Sequence, residues 1–185
     1  MPISGAGWEI LVTRSAIQQD SEKIRTYGAY QIYLNAAPVA GLSGFTCESP
    51  GPGDNSPSGV VHHRRIAAGR YHLSTHFGQR YQTIGYSNDI VHPGTLKMPG
   101  VLVTDTDVRT AILIHPGHPP NLFLSSIGCL NPTAALAPNQ VMDFWDSRSR
   151  VISIIDSLRA WDPAAFAAHS DTRIQGAALV VDGEP

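Results

Sequence analysis

Apolar and polar residues alternate in several short runs, with the two-residue period of half-buried strands. Residues 8–13 (WEILVT) make a first such run, and residues 30–34 place Tyr30, Ile32 and Leu34 on one face. Residues 44–48 predict a third strand, which runs into the loop-like SPGPGDNSP of residues 49–57. Residues 70–77 put Tyr71, Leu73, Thr75 and Phe77 on one side and His72, Ser74 and His76 on the other. Residues 101–104 and 109–114 complete the sheet material, and residues 174–181 predict a last strand. The period changes once, where Val151, Ile154, Ile155, Leu158 and Trp161 form a helical stripe. That stripe predicts a helix over residues 147–161 with Asp146 as its cap. Asp162 and Pro163 then start a short helix through residue 168. The expected fold is mainly β, a largely antiparallel sandwich or barrel in a single domain with one or two C-terminal helices.

Composition narrows the possible partners more than the fold. The 185 residues suffice to bury a core without a metal or disulfide, and 17 Gly with 14 Pro favour turns and short elements. A formal net charge of −2 and the absence of any Lys/Arg block argue against nucleic acid and against an anionic membrane surface. No apolar run approaches the ~18 residues that span a bilayer. The N-terminus has no basic start followed by an apolar core, so synthesis in the cytoplasm is expected. A role outside the cell then requires another export route or lysis. Cys47 and Cys129 are read as free thiols, Cys47 as a core residue.

Candidate chemistry concentrates in residues 115–129, HPGHPPNLFLSSIGC. The run TAILI before it reads as a buried strand that delivers His115 at its end. Gly128 directly before Cys129 lets the backbone approach a substrate and aim N–H groups at a developing oxyanion. Cys129 is the candidate nucleophile and His115 its base, with a main-chain carbonyl as a possible orienter of the imidazole. Ser126 is placed to exchange hydrogen bonds within the nucleophile turn. The bland alternative is a small buried cysteine beside a structural histidine. Seven of the eight histidines lie between His62 and His118, so a zinc site built from His72, His76, His115 and His118 was weighed. Supporting carboxylate or paired-cysteine spacings are missing, and neither metal nor cofactor is expected. His118, on a Pro-rich loop, and Arg70 with Tyr71, at the start of a strand, are weaker candidates for contacting a carboxylate or peptide.

With His115 upstream of Ser126-Ile127-Gly128-Cys129, the chain resembles the L,D-transpeptidase (YkuD-like) superfamily, in which a His precedes Ser/Thr-His-Gly-Cys. It is also similar to small phage and secretion-associated domains of that type. Their shared pieces read here as Val12-Thr13-Arg14, Thr26-Tyr27-Gly28, Ala67-Ala68-Gly69-Arg70-Tyr71, Ile114-His115-Pro116-Gly117, Gly128-Cys129 and Ser147-Arg148. These short pieces cover most of residues 8–160. The resemblance implies an L,D-transpeptidase or L,D-carboxypeptidase acting on the peptidoglycan stem tetrapeptide. Cys129 would attack the carbonyl that precedes the terminal D-Ala, and His115 would relay the proton. It further implies an exported antibacterial effector or phage wall enzyme working in a target periplasm, with an immunity protein and a secretion-system component as partners. Ile127 stands where the superfamily has its second His, which leaves that imidazole missing or supplied by His118. A non-catalytic module of the same fold, or a cysteine amidase on another acyl substrate, are the alternatives.

Overall fold

The computed structural model describes residues 2–88 and 96–185. Three long strands come first: β1 (Trp8–Gln19), β2 (Ile24–Leu34) and β3 (Ala37–Glu48). A one-turn helix α1 (Pro57–Val61) follows, then β4 (Gly69–Ser74) and the two-residue strands β5 (Tyr81–Gln82) and β6 (Met98–Pro99). The chain continues through β7 (Val101–Thr104), β8 (Ile112–Ile114), β9 (Asn131–Thr133), α2 (Phe144–Trp161) and β10 (Arg173–Asp182). Eight strands form one sheet in the order β8-β7-β4-β10-β1-β2-β3-β9. Neighbours are antiparallel except that β10 lies parallel to β1.

The two ends of that sheet meet. Leu130, just before β9, bridges Ile114 of β8, with Leu130 N–H donating to Leu113 (2.9 Å) and His115 N–H to Leu130 (3.0 Å). The sheet therefore nearly closes into a barrel, and the bridge leaves little of the edge that an open sheet would carry unpaired. This seam carries His115 on one side and Cys129 on the other.

Alternation explains the interior. Trp8, Ile10, Val12, Tyr30, Ile32, Tyr71 and Leu73 all turn inward, and Leu34 packs at their edge. The helical stripe covers the same core: Val151, Ile154, Ile155 and Leu158 are buried and Trp161 lies against them. Fully burying side chains of this size stabilises by roughly 1.5–3 kcal/mol each. No helix among the described residues is long and apolar enough to cross a membrane.

Several boundaries differ from the sequence expectation. Helix α2 begins at Phe144, because Asp143 accepts the Asp146 N–H (2.7 Å) and buried Phe144 extends the stripe by a turn. Asp146 instead accepts from Ala134 N–H and from Arg150. Residues 163–168 form consecutive turns closed by i to i+3 bonds at Pro163 and Ala164. β4 stops at Ser74, since the Thr83 hydroxyl takes the His76 N–H (2.8 Å) that a longer strand would use. Arg109 to Ala111 lie outside β8: Arg109 N–H closes a turn onto Thr106, and Ala111 has φ 56°. The loop over 49–57 contains the start of α1, with Ser56 as its N-cap.

Candidate active site

Closure of the barrel brings the sequence-distant halves of the site together. His115 is buried, and its Nδ1 lies 2.9 Å from the Pro116 carbonyl. Nδ1–H donation to that carbonyl leaves Nε2 as the basic nitrogen, so a main-chain oxygen orients the imidazole. Asn131 supports the same residue, its amide donating to the His115 carbonyl (3.0 Å). Burial pushes the His115 pKa down to about 3 against the pull of Pro116, and the neighbouring His118 and Arg80 push the same way. The imidazole is therefore neutral at neutral pH.

Cys129 is unpaired and half-buried. Its Sγ accepts the Leu113 N–H (3.3 Å) and its S–H points at the Ala111 carbonyl (3.6 Å). Burial pushes the thiol up to about 11, opposed by the Leu113 N–H and the Arg109 charge. The resting protein therefore holds a thiol, because partial desolvation in the seam disfavours the charged sulfur. No hydrogen bond joins Sγ to the His115 ring, yet both line one cavity of about 500 Å³. Cys129 also borders a second cavity of about 250 Å³, shared with Val60, Val108, Arg109 and Ile127.

The turn before the sulfur requires glycine. Gly128 has φ 128°, and a Cβ there would lie 2.1 Å from Arg109 Nη2. Its N–H, expected to face an oxyanion, donates to Ser126 Oγ (3.0 Å), while Ser126 donates to the Cys129 carbonyl (2.7 Å). Ser126 thus braces the turn and occupies the Gly128 donor. The Cys129 N–H donates to no group among the described residues and is the backbone donor left for an oxyanion.

Around this pair stand His118, a candidate from the sequence, and Tyr81, Arg80 and Arg109, which local sequence signals did not single out. Tyr81 lies against the His115 ring with centroids 4.3 Å apart, and its hydroxyl is 3.0 Å from His118 Nε2. Burial raises the Tyr81 phenol to about 12, so it stays a donor. His118 is buried and lines the cavity; Nδ1–H faces the Pro119 carbonyl (3.0 Å), Nε2 accepts from the Tyr81 hydroxyl, and Arg80 Nη2 lies beside the ring, 3.2 Å from Nε2. Burial foremost, with the Arg80 charge, holds His118 below its ordinary pKa against the pull of Pro119. Arg109 binds the Asp54 and Ile127 carbonyls and holds the Gly128 turn against the second cavity. Helix α2 reaches the site through Ser147, which accepts from Gly117 N–H (2.8 Å) and donates to the Pro132 carbonyl.

Other candidates lie elsewhere. Arg70 pairs with buried Glu9 and reaches Ser4, and neither it nor Tyr71 lines the cavity. The Tyr71 hydroxyl instead donates to the Ala67 carbonyl (2.7 Å) and accepts from Asn55. Of the four histidines in the zinc alternative, His72 faces Asp105 away from the cavity, while His115, His118 and His76, which faces Asp171, line it. His92 lies outside the described residues. Among the described residues no three His, Cys, Asp or Glu side chains gather as a metal ion would need.

Asn131 had a usable signal, being two residues from Cys129 and so on the same face of extended chain. Arg80, Tyr81 and Arg109 had none, since only barrel closure brings them near the sulfur. No protein-family model, curated protein or solved structure matches this chain.

Proposed function

We propose that the protein is a cysteine acyltransferase or hydrolase acting on peptidoglycan stem tetrapeptides. The observation that carries this reading is the meeting of Cys129 and neutral His115 in one cavity across the barrel seam. In the attack, Sγ forms a bond to the carbonyl carbon before the terminal D-Ala, and the thiol proton passes to His115 Nε2. Collapse breaks the C–N bond, and Nε2–H protonates the departing amine. The carbonyl oxygen becomes an oxyanion near the Cys129 N–H. An amine or water then attacks the thioester, its proton going to Nε2 and on to the released sulfur. A cavity on each side of Cys129 supports exchange or cross-linking beside hydrolysis, since an acceptor has its own approach.

The resting thiol and neutral imidazole imply that the proton moves from Sγ to Nε2 as the sulfur attacks, since burial disfavours either charged form alone. The cellular role that fits is an exported antibacterial effector or phage wall enzyme, neutralised in its producer by an immunity protein. Incubation with tetrapeptide muropeptides followed by mass spectrometry tests the reading. Loss or exchange of the terminal alanine is expected, and it should vanish with Cys129→Ala. Unchanged muropeptides, with wild type and variant equally harmless when directed to a periplasm, contradict it.

A second reading is favoured by the hydrogen bonds that hold Sγ as a thiol between Leu113 and Ala111. On that reading the barrel is a non-catalytic wall-binding or phage structural module. It requires the protein to sediment with intact peptidoglycan while leaving every muropeptide unaltered.

A further inference from the structure

We infer that the Arg80 corner of the cavity is a carboxylate-binding subsite, and that the ligand it selects is a peptide ending in a free carboxylate. This deepens the functional reading above and rests on it for the identity of the ligand. The inference starts from an imbalance of charge. The large cavity is lined by Arg80, His76, His115 and His118, and no Asp or Glu among the described residues lines it. His76 has its own partner in Asp171, and His115 and His118 are held neutral by burial. Among the described residues Arg80, itself exposed, is therefore the one charged group of that wall without an acidic partner.

The guanidinium is only partly used. Nη2 lies 3.2 Å from His118 Nε2, and the group sits over the Tyr81 ring, 5.6 Å from its centroid. Nε and Nη1 donate to nothing among the described residues, and Arg80 forms no ion pair there. An arginine presents its donors as a planar fork that suits two carboxylate oxygens. The backbone beneath it is anchored: the Arg80 carbonyl accepts the Met98 N–H (2.8 Å), tying it to β6. Tyr81 and His118 limit its swing on one side. An exposed cation with free donors, at a concave site with no acid among its described lining, selects an anion small enough to enter.

Proximity to the sulfur gives the subsite its use. Arg80 and Cys129 line the same cavity, so a carboxylate held at Arg80 belongs to the same bound peptide as the bond under attack. Only a substrate carrying a free terminus would then be positioned for attack, and longer or amidated peptides would be passed over.

The test is a titration of the full chain, followed by NMR, with N-acetyl-D-alanine, with its amide, and with inorganic phosphate. The acid is expected to bind roughly tenfold more tightly than the amide and than phosphate. Arg80→Gln should abolish the preference for the acid, whereas Arg70→Gln, outside the cavity, should keep it. Equal binding of acid and amide, binding of neither, phosphate as tight as the acid, or a preference retained by Arg80→Gln overturns the inference. Because the readout is binding, a wall-inactive protein that still prefers the acid would sink the enzymatic reading alone.

Discussion

Two groups of charges in this barrel are treated in opposite ways. In the first, Arg14 on β1 grips Glu48 at the end of β3 through two bonds (3.0 and 2.7 Å) and reaches Glu184 with a third. Arg65, also buried, binds Glu184 and the Thr26 hydroxyl. Two cations meet two carboxylates and the cluster is neutral. In the second, Arg80 and Arg109 flank Cys129 and the neutral imidazoles of His115 and His118 without a carboxylate partner among the described residues. The first cluster joins strands, loop and C-terminal segment. The second leaves positive charge facing two cavities, the arrangement of a site awaiting an anionic ligand.

The largest effects should separate the clusters cleanly. Cys129→Ala is expected to lower turnover of tetrapeptide muropeptides by roughly 10³-fold or more with little change in the urea midpoint. Glu48→Ala should do the reverse to the fold, costing about 3–5 kcal/mol because Arg14 is left buried and half-paired. Urea denaturation checks it, and an unchanged midpoint for Glu48→Ala would erase the distinction between a structural and a waiting cluster.

Acid should sharpen the contrast next. The folded pKa of His115, about 3, lies below its ordinary 6.5, so unfolded chains bind the proton more readily. Its contribution to stability is fully present above pH 6.5 and is lost progressively as pH falls toward 3. Down to about pH 5 the carboxylates of the first cluster stay ionised and add little slope. Stability measured between those limits should therefore fall with acid in the wild type, and the slope should flatten in His115→Gln. An identical slope in both would place the acid sensitivity elsewhere.

The smallest effect concerns the turn. Ser126→Ala frees the Gly128 N–H and removes the bond to the Cys129 carbonyl, a stability loss of about 1 kcal/mol. If Ser126 only braces the turn, KM should hold while kcat falls modestly. A rise in KM alone would instead make it a substrate contact.

The parts of the molecule that follow a local period could be read from the chain. The inward positions of the first two strands and the stripe of α2 need only their own spacing. What escaped depends on partners far along the chain. Strand β9 is the tripeptide Asn131-Pro132-Thr133, too short to show alternation, and it exists because β3 pairs with it. The left-handed Ala111 ended a strand that looked continuous. At the site, Cys129, His115, Ser126 and Gly128 stood out by residue type and order, but the use of the Gly128 N–H by Ser126 did not. Arg70 and Tyr71 looked available for a ligand because Glu9 and Asn55, which pair with them, come from other segments.

The central claim is that Cys129 forms a covalent bond to the stem peptide. Intact-protein mass spectrometry after mixing with tetrapeptide and quenching in acid measures this directly. The account predicts a thioester adduct of the peptide lacking its terminal alanine, mapped to Cys129 and absent from Cys129→Ala. Muropeptide turnover with no adduct, or an adduct that persists in Cys129→Ala, would contradict it.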